Sequence, residues 1–383
     1  MTEILKKIQE AANNKKTASE FTHGIYRYPA SMSPILAREI ITLFTKKKDI
    51  ILDPFCGGGT TAIESILQGR KIICSDINSL ASFITKTKVT PLKNDIINKI
   101  KEWATYTLER LKEYRKMKVP INFQINNNLH CRKTTWLLNK LKDEANLQSN
   151  HQVRAICNLI MLSVGKRCYD CRIEPLNPSK LIKTFDKISQ LIVKSLYEYS
   201  NQCFRVSPNI DIEDDIKIFC ENALNLPKLI EKKYVKNIKL VLTSPPYPGI
   251  HILYHRWQIK GRRQTSLPFN LLHLNDGFPT SYYTLGSASK KGYEFYFENI
   301  SKIFSGLREI ITENTIIAQV VSFKDPEWQL PMYKNAMNEA GYYEFYLRNN
   351  KKDLITREVP NRKWYTNLND KKTIEYILFH CKK

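Results

Sequence analysis

The chain has 383 residues, 42% of them hydrophobic and 25% charged, which is ordinary for a globular protein with a substantial core. This composition excludes long disordered and collagen-like sequences, and no apolar run approaches the ~20 residues of a transmembrane helix. Sixty Lys and Arg residues against 37 Asp and Glu residues leave a net charge of +23, so a polyanion is the first partner to consider.

The cellular compartment follows from the N-terminus and the cysteines. The first sixteen residues lack the apolar stretch and the small-residue cleavage site of a secretory signal. Nine cysteines over this length are too sparse for a disulfide framework. We therefore expect reduced thiols, a cytoplasmic protein acting at the nucleoid, and no membrane partner.

The first regular elements form a βαβ unit. Residues 49–53 (DIILD) are predicted as a buried strand, followed by a turn with three glycines, a helix over 60–67 and a second strand over 71–75. A strand, a tight turn, a helix and another strand predict a parallel α/β sheet.

Two carboxylates frame the glycine turn. Asp53 ends the first strand and Asp76 follows the second, where a carboxylate suits a ribose diol. A phosphate-binding P-loop needs Lys where Thr60 stands, and a dinucleotide site needs a further glycine at the start of the helix. Asp53 would repel a pyrophosphate, so the turn favours a ligand with a positive charge.

Residues 96–206 carry a different pattern, with apolar residues at helical spacing from Val153 to Val164 and from Leu181 to Tyr199. We predict a helical insertion that divides the chain into 1–95, 96–206 and 207–383, and the insertion is the candidate region for DNA binding and target recognition. Its CxxC pair, at Cys168 and Cys171, has no second pair at matching spacing, so no metal site is predicted.

The α/β pattern resumes with buried strands predicted at 237–243 and 315–322 and a helix near 293–312 between them. A helix near 331–340 and two late, antiparallel strands at 342–347 and 373–380 follow. Together these elements predict an α/β fold with a mostly parallel sheet and a helical insertion.

The tetrad Ser244-Pro245-Pro246-Tyr247 directly follows a predicted strand. Consecutive prolines fix φ and remove two donors, so we expect rigid, unpaired carbonyls there. Ser244 Oγ and the Pro245 carbonyl could accept the two hydrogens of an exocyclic amine and restore the nucleophilicity of its nitrogen. Tyr247 could stack on a base rotated out of a duplex.

These motifs resemble those of class I S-adenosylmethionine-dependent methyltransferases that methylate amino groups of DNA. Residues 53–60 (DPFCGGGT) resemble motif I, residues 75–80 motif II and the tetrad motif IV. Residues 22–34 are similar to motif X, and residues 220–223 to motif III. The resemblance implies a Rossmann-like fold, S-adenosylmethionine as cofactor, and cofactor contacts at Tyr28, Pro29, Asp53, Phe55, Cys56, Gly57, Gly59, Thr60, Asp76, Ile77 and Asn222. For Asn222 a capping role is the alternative.

Three stretches hold 20 of the 23 excess positive charges: 96–206, 254–263 and 347–372. Charge that is concentrated in this way suggests a surface for phosphate, although solvated helices and loops are the alternative. The candidate DNA-binding residues are Arg256, Lys260, Arg262, Arg263, Arg362 and Lys363.

The resemblance predicts methyl transfer to a base flipped out of double-stranded DNA, with N4 of cytosine preferred because Ser leads the tetrad. N6 of adenine and an amino group of an RNA base are the alternatives, and a non-catalytic scaffold would show a broken motif I or IV. A cognate restriction endonuclease is a further expected partner.

Overall fold

The computed structural model describes residues 2–14, 19–26, 28, 31–124, 131–249, 256–260, 263–277, 280–345, 354–359 and 373–383. Within them lie ten strands: β1 (Ile50–Asp53), β2 (Lys71–Asp76), β3 (Ile216–Cys220), β4 (Ile238–Thr243), β5 (Trp257–Ile259), β6 (Arg263–Thr265), β7 (Ile311–Ser322), β8 (Tyr342–Glu344), β9 (Ile355–Val359) and β10 (Thr373–Lys382). The helices are α1 (Thr2–Asn13), α2 (Pro34–Phe44), α3 (Thr60–Leu67), α4 (Ser79–Val89), α5 (Asn94–Lys116), α6 (Arg132–Asn146), α7 (His151–Tyr169), α8 (Pro178–Val206), α9 (Ile212–Asp215), α10 (Leu226–Leu229), α11 (Leu267–Leu272), α12 (Lys290–Leu307) and α13 (Pro326–Glu339).

Eight strands form one sheet in the order β3-β2-β1-β4-β7-β10, and β8 and β9 both pair with β10. The first five strands of this order are parallel, whereas β10 is antiparallel to its neighbours. The carboxyl ends of β1, β2, β4 and β7 therefore share one edge, and β10 begins at that edge. The predicted α/β fold with a mostly parallel sheet is confirmed.

Both faces of the sheet are buried because helices cover each of them, and successive side chains of a strand point to opposite faces. Ile51 and Leu242 face the layer of α1, α2 and α3, and Leu52 and Val241 face the layer of α12 and α13. The neighbouring β7 alternates in the same way, with Val320 on the first face and Val321 on the second. This packing explains why the strands appear in the sequence as short continuous apolar runs.

The four long helices α5 to α8 lie between β2 and β3 in the chain and pack on one another around a core of their own. Helix α7 is buried on nearly every side, because α5, α6 and α8 surround it. The same core includes Leu80 and Ile84 of α4, and the Tyr199 hydroxyl of α8 donates to the Val89 carbonyl at 2.7 Å. The helical region therefore packs against α4, the helix that follows β2.

A hairpin formed by β5 and β6 follows the tetrad and packs onto α7. The indole of Trp257 stacks on Tyr169, with ring centroids 6.5 Å apart and planes 6° apart, and its nitrogen donates to the Tyr26 hydroxyl at 3.0 Å. The carbonyl of Gln258 accepts from the amide of Cys171 at 2.6 Å. The CxxC segment thus bonds this hairpin to the helical region. Cys168 and Cys171, the two cysteines of the segment, are free thiols.

Two predicted boundaries are wrong. The helix expected near 331–340 begins at Pro326, which occupies the first turn, where its missing donor costs nothing, and Pro331 lies inside the helix. The helix expected to reach residue 312 ends at Leu307, and the β-branched residues from Ile311 onward join the sheet instead. No helix in the described ranges is long and apolar enough to cross a bilayer.

The close contact between α7 and the hairpin predicts the effect of a single methyl group. A Cβ added at Gly165 would lie 2.4 Å from the Trp257 ring, which is itself buried. We expect Gly165→Ala to lower the free energy of unfolding by about 1–3 kcal/mol through overpacking. Denaturant titration measures this change.

The control is Gly306→Ala in α12, where the nearest atom to the added methyl is 3.6 Å away. Alanine has the better helix propensity, so Gly306→Ala should leave stability unchanged or raise it. Equal effects of the two substitutions would contradict the proposed packing of the hairpin.

Candidate functional site

The glycine turn connects β1 to α3 and has a backbone that only glycine adopts easily. Gly57 has φ of +48° and Gly59 has φ of +81°, both in the left-handed region. A Cβ at Gly59 would lie 2.8 Å from the Thr85 hydroxyl. The turn therefore combines positive φ with close packing, and it brings the backbone to the carboxyl edge of the sheet.

Tyr28 also lies against this turn. A Cβ at Gly58 would lie 2.7 Å from the Tyr28 Cβ, so the glycine leaves room for the ring. The Tyr28 hydroxyl accepts from Asn78 Nδ2 at 3.0 Å, and burial raises the pKa of the phenol well above its usual range. Tyr28 stays neutral and is positioned to cover a ligand on the turn, whereas Pro29 lies outside the described residues.

Asp76 joins the turn to the end of β2. One carboxylate oxygen accepts from the Gly57 amide and the other from the Asn78 amide, each at 2.8 Å. Burial raises the pKa of this carboxyl to about 6, and the two amide donors oppose that shift. Each oxygen keeps a lone pair, so the pair of oxygens suits the two hydroxyls of a ribose.

Asp53 joins β1 to β4. Its Oδ1 accepts from the Thr243 hydroxyl at 2.6 Å and from the Phe55 amide at 3.1 Å. Burial raises the pKa of Asp53 to about 6, because the charged form loses its hydration. A bound positive charge would favour the carboxylate again, which fits the ammonium group of S-adenosylmethionine.

Two residues of α4 that no sequence pattern singled out hold the backbone of the turn. Thr85 Oγ1 and Lys88 Nζ donate to the carbonyls of Gly57 and Gly58, both at 2.9 Å. Lys88 is 3% exposed, and burial lowers its pKa to about 7. A threonine and a lysine three residues apart in a helix carry no sequence signal, because the same spacing is common on solvated helices.

The remaining predicted cofactor residues lie around the same turn. Phe55 and Ile77 are half-buried beside the two carboxylates, Cys56 is buried, and Thr60 begins α3. Asn222 Oδ1 accepts from the Leu224 amide at 3.0 Å, so this side chain caps the turn after β3. That contact corresponds to the alternative of a capping asparagine, and the turn itself lies next to Asp76, whose carbonyl accepts from the Glu221 amide.

The tetrad follows β4 at the same edge. Ser244 Oγ donates to the Val320 carbonyl at 2.9 Å and lies 3.4 Å from the Tyr247 hydroxyl. The Tyr247 hydroxyl donates to Glu375 at 2.9 Å, and Tyr296 donates to the Pro246 carbonyl at 2.8 Å. The prediction of unpaired carbonyls is therefore wrong for Pro246, because α12 supplies a donor that no local pattern reveals.

The predicted DNA-binding residues are only partly described. Arg256 donates to Asp276 Oδ2 at 2.7 Å, so its charge takes part in an ion pair within the protein. Arg263 is exposed and Lys260 half-exposed on the hairpin. Arg262, Arg362 and Lys363 lie outside the described residues, as do most residues of the stretch 347–372.

Comparison with known proteins places the glycine turn in a matched region. Residues 2–89 match a family model described as DNA methylase. The Type II methyltransferase M.MvaI of Kocuria varians is 34% identical over 95 residues, which cover 24% of this chain and 21% of that protein. M.MjaII of Methanocaldococcus jannaschii is 22% identical over an alignment of 447 positions, covering 92% of this chain and 80% of that protein.

A shorter region of this chain is similar to an enzyme whose name specifies tRNA as its substrate. The tRNA (guanine(10)-N2)-dimethyltransferase of Methanothermobacter thermautotrophicus is 50% identical over 52 residues, 13% of this chain and 16% of that protein. The chain thus spans about a fifth of the length of M.MvaI but most of M.MjaII. The matches confirm the predicted resemblance to DNA amino-methyltransferases.

The raised pKa values of the two aspartates predict how cofactor affinity depends on pH. Above about pH 6 Asp53 and Asp76 are charged and attract the ammonium and hydroxyl groups, and below it they are protonated. We expect the affinity for S-adenosylmethionine to fall at least about tenfold between pH 7 and pH 5. Isothermal titration calorimetry measures this change.

The Asp53→Asn variant should bind S-adenosylmethionine more weakly than the wild type at pH 7. Its affinity should also fall less between pH 7 and pH 5. Asp49→Asn, at the amino end of β1, is the matched control and should behave like the wild type, since Asp49 accepts from the Lys46 amide away from the site. An affinity that is the same at pH 5 and pH 7 would contradict the assignment.

Proposed function

We propose that this protein transfers a methyl group from S-adenosylmethionine to an exocyclic amino group of a base in double-stranded DNA. The observation that carries this proposal is the hydrogen bond of 2.6 Å between Thr243 and Asp53. It joins the strand end that holds the glycine turn to the strand that delivers the tetrad. A cofactor on the turn and a base on the tetrad would therefore meet at one edge of the sheet.

The residues around the turn would bind the cofactor by complementary charge and shape. Asp53 would pair with the ammonium group, Asp76 would accept from the ribose hydroxyls, and Tyr28 would cover the methionine end. S-adenosylmethionine supplies an electrophilic methyl group on a positively charged sulfur. The protein contributes positioning, since holding the two reactants in line removes much of the entropic cost of the reaction.

Ser244 is prepared to accept a hydrogen bond from the amino group. Its single hydroxyl hydrogen points to the Val320 carbonyl at 2.9 Å, which leaves the Oγ lone pairs free. The Pro245 carbonyl would accept the second amino hydrogen. Two acceptors draw the nitrogen lone pair out of conjugation with the ring, which makes the nitrogen a better nucleophile.

Tyr247 provides the aromatic surface for a flipped base. Its hydroxyl is held by Glu375 at 2.9 Å, so the ring cannot rotate freely. Stacking on a fixed ring would offset part of the cost of taking the base out of the duplex. The tetrad would thus supply two hydrogen-bond acceptors from Ser244 and Pro245, a rigid link at Pro246 and a stacking surface at Tyr247.

The positive charge of the chain supports a nucleic acid as the partner. Lys260 and Arg263 on the hairpin, with Arg262, Arg362 and Lys363 of the basic stretches 254–263 and 347–372, are proposed phosphate contacts, and residues 96–206 are proposed to recognise the target. A cytoplasmic location and a cognate restriction endonuclease belong to the same proposal, which M.MvaI and M.MjaII support as Type II methyltransferases.

We propose N4 of cytosine as the position methylated, because Ser244 leads the tetrad, with N6 of adenine as the alternative. The match to tRNA (guanine(10)-N2)-dimethyltransferases favours an RNA base as the second candidate substrate. All three positions are exocyclic amines, so the chemistry of the tetrad is the same for each.

Product analysis tests the proposal. The protein is incubated with isotopically labelled S-adenosylmethionine and a mixture of duplex DNA and tRNA, and the nucleic acids are digested to nucleosides for mass spectrometry. We expect the label in N4-methyldeoxycytidine. Label in N6-methyldeoxyadenosine would overturn the choice of base, and label confined to RNA would overturn the choice of nucleic acid.

Two variants connect the product to the site. Ser244→Ala removes one acceptor and should slow methyl transfer about 100-fold, as the loss of one positioned hydrogen bond does in related chemistry. Ser65→Ala in α3 removes a buried hydroxyl that donates to the Thr61 carbonyl, and it should keep the wild-type rate. Equal rates for the two variants would exclude the role proposed for Ser244.

A further inference from the structure

A series of hydrogen-bonded polar side chains runs from the tetrad after β4, past β7, to β10 and to β9 at the outer edge of the sheet. Ser244 and Tyr247 follow β4, and their hydroxyl oxygens are 3.4 Å apart. The Tyr247 hydroxyl donates to Glu375 Oε1 on β10 at 2.9 Å. Arg357 on β9 lies directly opposite Glu375 and donates to its other oxygen, Oε2, at 2.7 Å.

The fold explains why these residues meet. Strand β10 is antiparallel to β7, so its beginning lies at the edge where β4 and β7 end. Glu375 pairs in register with Ser322 at the end of β7. A residue 128 positions after Tyr247 is thereby brought to its hydroxyl.

Methyl transfer to an amino group releases a proton, and the tetrad alone contains no base that could accept it. The nitrogen begins with two hydrogens and gains a methyl group, so one proton must leave before the neutral product exists. A serine hydroxyl is no base at neutral pH. The methylated nitrogen is a strong acid while it carries the extra proton, so even a weak acceptor suffices.

We propose that Glu375 is the final acceptor of this proton, which reaches it through the hydroxyls of Ser244 and Tyr247. The proposal rests on the proposed function and adds the route by which the proton leaves the site. Glu375 touches neither base nor cofactor, and it acts through Tyr247.

Atoms and charges balance in this step. The N–CH3 bond forms as the S–CH3 bond breaks, and the electron pair of that bond stays on sulfur. One N–H proton moves to Ser244 Oγ, the Ser244 hydroxyl proton moves to Tyr247, and the Tyr247 proton moves to Glu375. Both hydroxyls end neutral, and Glu375 becomes a neutral carboxylic acid. The Ser244 hydroxyl must turn from the Val320 carbonyl to Tyr247, both of which it reaches.

The surroundings of Tyr247 and Glu375 suit the transfer of a proton between them. Glu375 is 6% exposed, so its charge is shielded from water and compensated by the ion pair with Arg357. Burial and the charge of Glu375 raise the pKa of Tyr247 well above its usual range, so its phenol stays protonated and carries a proton in either direction. Arg357 and Glu375 are the charged side chains that face Tyr247 among the described residues.

A purely structural role for Glu375 is the competing explanation. In that case any side chain that accepts from Tyr247 and fills the same volume would serve. Glutamine does both, since its amide oxygen accepts a hydrogen bond, but it takes up no proton. Because Glu375→Gln also removes the acceptor of Arg357, the pH dependence of its rate, and not the loss of rate alone, separates the two explanations.

The test measures single-turnover methyl transfer between pH 6 and pH 9 for the full-length protein with duplex DNA. We expect Glu375→Gln to lower the rate about 100-fold at pH 7, the usual contribution of a positioned proton acceptor. Its rate should rise with pH as solvent base replaces the carboxylate, whereas the wild-type rate stays nearly flat. A wild-type rate and pH profile for Glu375→Gln would overturn the proposal.

Tyr247→Phe is the second variant, because it keeps the stacking surface and interrupts the chain. It should reproduce the slow, pH-dependent transfer, and the double variant should be no slower than either single one. Glu344→Gln is the matched control: Glu344 pairs with Lys334 near the other end of β10 and should keep the wild-type rate and profile.

The outcomes separate this proposal from the proposed function. A wild-type protein that methylates neither DNA nor RNA would contradict the proposed function itself. If the wild type methylates DNA, and Glu375→Gln and Tyr247→Phe are as fast as the wild type at every pH, the proton route alone would be contradicted. Calorimetry with S-adenosylmethionine should give the same affinity for both variants and the wild type, which shows that each is folded.

Discussion

The buried hydrogen bond between Thr243 and Asp53 is the contact on which the rest of the site depends. It crosses from β4 to β1, the two central parallel strands, at the edge where both end. On one side of it the backbone enters the glycine turn, and on the other it enters the tetrad. Under the proposed function, the distance between a methyl donor on the turn and an acceptor on the tetrad would therefore be set within the core of the sheet.

Buried ionisable groups, whose charged forms are destabilised by the loss of water, lie close together at the same edge of the sheet. Burial raises the pKa of Asp53 and Asp76 to about 6 and lowers that of Lys88 to about 7, so each charged form is destabilised in the protein without ligand. A ligand that is positively charged and rich in hydroxyl groups favours both carboxylates again. Cofactor binding and folding stability are thus linked, and bound cofactor should stabilise the chain.

Local patterns predicted most of the sheet and the two segments that flank the site. The strands around Asp53 and Thr243, the helix over 60–67 and the positions of the glycine turn and tetrad all follow from residues close together in the chain. The partners of these segments do not. Glu375 meets Tyr247 only because of the order of the strands, and Arg256 turns inward because Asp276, twenty positions later, reaches it. Pairing over such distances has no periodic signal in the sequence.

The most direct measurement of the central claim is the effect of Thr243→Val on cofactor binding and on methyl transfer. Removing the hydroxyl leaves a buried carboxylate without one of its donors, which costs about 1.5–3 kcal/mol. Thr315→Val is the matched control, since Thr315 is equally buried but donates to the Ile238 carbonyl at the amino end of β4. We expect only Thr243→Val to weaken S-adenosylmethionine binding by about tenfold or more and to slow transfer at saturating cofactor. Unchanged affinity and rate for Thr243→Val would contradict the central claim.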